Sequence, residues 1–189
     1  MSHSRVLSRA VFLDRDGVIN QPVIRDGKPY PPATLEEFTI YEDAAYACQL
    51  LKAAGFLLVV ATNQPDVGRV SQRLEVVEQI HARLNASLPI DRVEVCYDAA
   101  PESSGYYKPA PGMLFRAAEQ LSLDLSKSYM VGDRWRDVDC GNIAGCKTIF
   151  IDRGYREELR QQPTFRASCL LEAAEIILAD SGIKSALGA

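Results

Sequence analysis

The chain is poor in the residues that build disulfide scaffolds, zinc sites and polyanion-binding surfaces. Its five cysteines (Cys48, Cys96, Cys140, Cys146 and Cys169) are scattered and odd in number, and none forms a CxxC pair. That argues for free, buried thiols in a reducing compartment and against a disulfide framework. The two histidines, His3 and His81, look remote from any chemistry. Positive charge is not in excess: the formal net charge is −4, which leaves no footprint for nucleic acid or a membrane surface. No apolar run approaches the roughly 18 residues of a membrane span. The first nine residues lack the apolar core of a leader, so the cytoplasm is the expected location. There is no repeat and no low-complexity linker. What remains is 189 residues, 47% hydrophobic and 24% charged, an ordinary composition for one globular domain over 1–189. A monomer is expected.

Apolar strand-like runs alternate with amphipathic helix-like ones. Strands are expected at Ala10–Leu13, Phe56–Ala61, Val93–Tyr97, Ser128–Val131 and Lys147–Ile151. Helices are expected at Asp43–Ala54, Gln72–Ala86, Gly112–Leu121, Trp135–Ala144 and Ser168–Asp180, with Gly55 and Gly145 stopping two of them. Continuous apolar strands separated by helices imply an α/β fold, a Rossmann-like three-layer sandwich around a parallel sheet. Ligands bind such sheets beyond the carboxyl ends of the strands.

The residues just beyond each strand are therefore informative. The first strand leads into Asp14-Arg15-Asp16-Gly17, the second into Thr62-Asn63-Gln64, and the fourth into Gly132-Asp133-Arg134-Trp135-Arg136-Asp137. Lys108-Pro109 lies between the third strand and the next helix. Each piece alone has a plain structural reading as a turn, a cap or a surface lysine. Their succession after consecutive strands points to phosphoryl transfer. Asp14 would attack phosphorus and form an aspartyl phosphate. Asp16 would protonate the leaving oxygen and then activate water. Asp14, Asp16 and Asp133 would hold a magnesium ion by hard oxygen ligands. Thr62 and Lys108 would bind the transferring phosphoryl group. Asp137, four residues after Asp133, would support Lys108 or a metal-bound water. Arg15, Asn63 and Arg69 are candidates for gripping the rest of the substrate, and Arg69 or Arg134 could fork a second phosphate. Asp152-Arg153-Gly154, after the fifth strand, reads as a solvated loop.

Asp14, Asp16, Thr62, Lys108, Asp133 and Asp137 match, in order and type, the signature of the haloacid dehalogenase superfamily of phosphohydrolases. The segments Phe12–Asn20, Val60–Gln64, Lys108–Leu114 and Tyr129–Asp133 resemble the branch that holds the heptose 1,7-bisphosphate 7-phosphatases and histidinol-phosphate phosphatases. The resemblance implies a magnesium-dependent phosphatase acting on a small phosphorylated molecule, most closely D-glycero-D-manno-heptose 1,7-bisphosphate at its 7-phosphate. Histidinol phosphate or a broad small-molecule range is the alternative. A polynucleotide 3′-phosphatase fits the charge less well, and a non-catalytic relative would have lost an acid this chain keeps. Two departures stand out. That branch usually carries a zinc loop, of which only Cys96 remains, with Asp98 at the place of a histidine. Zinc is therefore not expected, and Tyr97, Tyr106 and Tyr107 are expected to pack the loop instead. The branch also has a substrate-contacting arginine before the lysine; this chain has Tyr107 there, which is taken with Lys108 as a further candidate substrate contact. Residues 21–42 are too few for a separate lid domain.

Overall fold

The computed structural model describes residues 7–25, 28–101 and 103–183; His3 lies outside them. In chain order the elements are β1 (Ala10–Leu13), β2 (Val23–Arg25), β3 (Lys28–Tyr30), α1 (Ala44–Ala53), β4 (Leu57–Asn63), α2 (Pro65–Gly68) and α3 (Leu74–Ser87). Then come β5 (Arg92–Cys96), α4 (Gly112–Leu121), β6 (Tyr129–Gly132), α5 (Trp135–Ala144), β7 (Lys147–Ile151), β8 (Phe165–Ala167) and α6 (Leu170–Asp180). Six strands form a parallel sheet in the order β5-β4-β1-β6-β7-β8. No helix among the described residues is long and apolar enough to cross a membrane.

Strand alternation explains the three layers. Val11 and Leu13 of β1 point into one core with Leu58 and Val60 of β4 and residues of α1, α3 and α6. Ala10 and Phe12 point into the other with Val59, Ala61 and residues of α4 and α5. Successive side chains of a strand face opposite ways, so a strand apolar at every position must be covered on both faces. Gly55 and Gly145 stop α1 and α5 with φ of 83° and 81°. The chain leaves β1 toward β4 and β5, then returns to build β6, β7 and β8 on the other side. Its direction therefore reverses at β1, and a crevice opens at the carboxyl end of that strand.

The short elements add to the expected set. β8 is three residues long, and β2 and β3 form a separate antiparallel hairpin. Pro22, Pro29, Tyr30 and Pro31 of that hairpin region line the crevice. Gln72, after α2, donates to the carbonyls of Pro32 (3.2 Å) and Ala33 (3.1 Å) and ties the two loops together.

Val70, beside this tie, is 91% exposed and has a left-handed φ of 60°. That conformation costs an L residue roughly 1–2 kcal/mol and suits a β-branched side chain poorly. Val70→Gly removes the strain without uncovering any core. It should raise stability by about 1 kcal/mol in urea titrations, and a loss of stability would contradict this reading of the loop.

Candidate active site

A cleft of about 340 Å³ lies over the strand tips, and Asp14, Asp16, Thr62, Asn63, Arg69, Tyr107, Lys108, Asp133, Arg134, Arg136 and Asp137 are among its lining residues. Lys108 sits at its floor, buried. Its Nζ donates to Asp14 Oδ1 (2.8 Å), Asp137 Oδ1 (2.6 Å) and the Ala61 carbonyl (2.7 Å), which uses all three ammonium protons. Asn63 fixes the lysine from behind: its Oδ1 accepts the Lys108 N–H (3.0 Å) and its Nδ2 donates to the Lys108 carbonyl (3.2 Å). Asn63 therefore clamps Lys108, a structural task beside the substrate contact expected of it.

Two carboxylates bond this ammonium, and a third, Asp133, lies beside them. Oxygen atoms of Asp14, Asp133 and Asp137 lie within 4.8 Å of one another. Burial, with Asp137 and Asp16 nearby, pushes the Asp14 carboxyl up to about 6 against the pull of Lys108. Burial and the charges of Asp14 and Asp137 raise Asp133 well above the carboxylate range. One of its oxygens, Oδ1, is buried without a hydrogen-bond partner. Three acids facing one lysine, with an orphaned oxygen among them, fit a hard divalent cation. The set differs from the one expected. Asp137 belongs to the cluster through Lys108, and the Asp16 carboxylate stands outside it. Gly17 makes the approach of Asp133 feasible: a Cβ there would lie 1.8 Å from Asp133 Oδ2, at a φ of +91°.

Asp16 is held by nitrogen donors instead. Its Oδ2 accepts from Arg15 Nε (3.2 Å), Arg15 Nη2 (2.9 Å) and Gln64 Nε2 (3.0 Å), and its Oδ1 from Asn20 Nδ2 (2.9 Å). Arg15 is fully buried and cannot reach substrate, which corrects its expected role; it orients Asp16. Gln64 also donates to Thr62 Oγ1 (3.0 Å), leaving the threonine proton available to an acceptor in the cleft. The other partner of Arg15 is His81 Nε2 (3.1 Å). Arginine can only donate, so this nitrogen must be unprotonated. His81 is thus a packing residue that completes a buried network.

Arg134 pairs with Glu157, and its Nη2 lies 2.9 Å from Oε1. Arg69 donates through Nε to the Ala99 carbonyl (2.9 Å) and lies 3.5 Å from Asp66. The segment after β7 is not merely solvated. Arg153 Nε donates to the Gly17 carbonyl (2.8 Å), and its guanidinium lies 4.2 Å from the centre of the Tyr41 ring. The loop after β5 is closed chiefly by Asp98, which takes the Cys96 thiol (3.2 Å) and the Ser104 hydroxyl. Tyr107 packs in the core and Arg116 covers Tyr106, so the tyrosines contribute only in part.

The HAD-hyrolase-like family model matches residues 106–173, which include Lys108, Asp133 and Asp137. Fold, cleft and family model define the class, a haloacid dehalogenase-like hydrolase. A curated D-glycero-D-manno-heptose-1,7-bisphosphate 7-phosphatase of Thermosynechococcus vestitus is 33% identical over 89% of this chain and 94% of its own length. The corresponding β-anomer enzyme of Pasteurella multocida is 30% identical over 95% of this chain and 100% of its own. The chain belongs to this family of heptose-bisphosphate phosphatases and is a phosphoric monoester hydrolase. In fold it is similar to the D,D-heptose 1,7-bisphosphate phosphatase of B. bronchiseptica, solved with magnesium and phosphate. The TM-score is 0.77 at 24% identity, covering 91% of this chain and 99% of the other.

Burial and the Arg15 guanidinium push His81 down to about 4, whereas an unfolded histidine titrates near 6.5. The unfolded chain therefore binds the extra proton between these values, and the stability from neutral His81 is lost as pH falls through that window. Between pH 7 and pH 5 the wild type should lose about 2 kcal/mol more than His81→Gln, read from denaturant titrations at both pH values. Equal losses would show that the histidine is not held neutral.

Proposed function

We propose that this enzyme removes the 7-phosphate of D-glycero-D-manno-heptose 1,7-bisphosphate, with magnesium as cofactor and Asp14 as nucleophile. The observation that carries the reading is the Asp14–Lys108–Asp137 cluster at the floor of an open cleft, with Asp133 beside it. The names of the curated relatives supply the substrate.

In this reading Asp14 and Asp133 would hold the magnesium ion, which supplies charge neutralisation at the phosphoryl oxygens and steadies the nucleophile. Asp14 forms the new O–P bond as the sugar oxygen departs, giving an aspartyl phosphate. Asp16 gives the departing oxygen a proton, then takes one from the water that attacks phosphorus, and Asp14 is released with inorganic phosphate. Arg15, Gln64 and Asn20 keep the Asp16 carboxylate aimed at that position. Thr62 donates its hydroxyl proton to a phosphoryl oxygen. Lys108 balances charge as it migrates from Asp14 to the transferred group. Asp137 holds the ammonium in place, because without a second acid the lysine would follow only Asp14. The enzyme acts as a cytoplasmic monomer on a free small molecule; a net charge of −4 disfavours a nucleic-acid substrate.

Asp14→Asn is nearly isosteric but lacks the nucleophilic oxygen. It should cut phosphate release by about 10³-fold or more while the protein stays folded. Phosphate release near the wild-type rate would remove Asp14 from the chemistry. EDTA should likewise silence the wild type and magnesium should restore it, both read as released phosphate. Undiminished turnover in chelator would rule out the cation.

A further inference from the structure

The cleft is lined by three arginines, and they are not equivalent. Arg134 is engaged by the carboxylate of Glu157. Arg69 is anchored on the Ala99 carbonyl and lies beside Asp66. Arg136 lines the same cleft and makes no side-chain hydrogen bond or ion pair among the described residues. Its one contact of note is with a ring: the guanidinium carbon lies 5.1 Å from the centre of the Trp135 ring. Arg160 lies 3.4 Å over the same ring, adding positive charge nearby.

An aromatic face holds a guanidinium without consuming its N–H donors, which stay available to an anion. A committed ion pair must first be broken. The position before Lys108 is Tyr107, which carries no charge. We infer that Arg136 is the specificity-determining residue of this chain and binds the distal phosphate, the one not cleaved, of a sugar bisphosphate. This rests on the proposed function and adds to it the residue that distinguishes a bisphosphate from a monophosphate. Of the sequence-based candidates for this role, Arg134 is held by Glu157, and Arg69 is tied through Nε to the Ala99 carbonyl.

The test compares kcat/KM on a heptose 1,7-bisphosphate with that on the matching 7-monophosphate, for the wild type, Arg136→Gln and Arg136→Lys. A hydrogen-bonded charge contact corresponds to roughly a 10- to 100-fold effect. The bisphosphate-to-monophosphate ratio should fall by that factor in Arg136→Gln, carried by KM, and recover in part in Arg136→Lys. An unchanged ratio in Arg136→Gln would overturn the assignment, as would equal losses on both substrates. A wild type that hydrolyses both equally well would overturn it too, while leaving the Asp14 chemistry standing. A wild type inactive on both would overturn the proposed function and this inference with it.

Discussion

The Lys108 ammonium, buried between two aspartates, is the interaction on which the rest depends. Burying an ion costs several kcal/mol unless its partners are well placed. Here every proton has an acceptor: one carboxylate from the end of β1, one from α5, and a carbonyl of β4. Three elements must therefore meet at one point to within hydrogen-bond reach. The parallel sheet makes this feasible, since β4, β1 and β6 are neighbours and end on the same side. Yet the lysine balances only part of the charge, and the raised Asp14 and Asp133 express the remainder. The polypeptide stores an electrostatic deficit that a cation and a phosphoryl group can settle together.

Surrounding residues hold this arrangement in place. Asn63 fixes the lysine by its backbone, so that the ammonium does not depend on a flexible side chain alone. The Arg15–His81 pair, fully inside, sets Asp16 from behind. Arg153 bonds the Gly17 carbonyl and Glu157 engages Arg134, so the segment after β7 braces both the first acidic loop and the start of α5. In the loop after β5, Asp98 gathers a thiol and a hydroxyl. That loop meets Arg69 at the cleft mouth.

Much of this is legible in the sequence. The five long strands can be read because most carry a continuous apolar run, although β5 interleaves Arg92 and Glu94, and two of them, Ala10–Leu13 and Lys147–Ile151, have the expected bounds. The acids and the lysine are legible because polar groups directly after buried strands have few other reasons to be there. The features that escape have physical causes. β8 and the β2–β3 hairpin are too short for periodicity to register. Arg15 reads as a substrate ligand because a buried arginine is rare, and only three dimensions reveal that Asp16 and His81 compensate it. Asn63 looks like a cleft ligand until Lys108 is seen to engage it, whereas Asp137 bonds Lys108, one of the two roles its spacing suggests. Arg153 reads as solvated because an Asp-Arg-Gly turn has no local mark of the distant carbonyl it bonds. The substrate is the least legible feature, since it is selected by loops and by which arginines are left unpaired.

In the proposed reaction the cluster around Lys108 places a phosphoryl group on Asp14. The most direct measurement is to quench the enzyme in acid during turnover and map the attached phosphoryl group by peptide mass spectrometry. The account predicts transient phosphate on the peptide carrying Asp14, at that residue. Phosphate on another residue, or steady turnover with no phosphorylated enzyme at any time point, would contradict it.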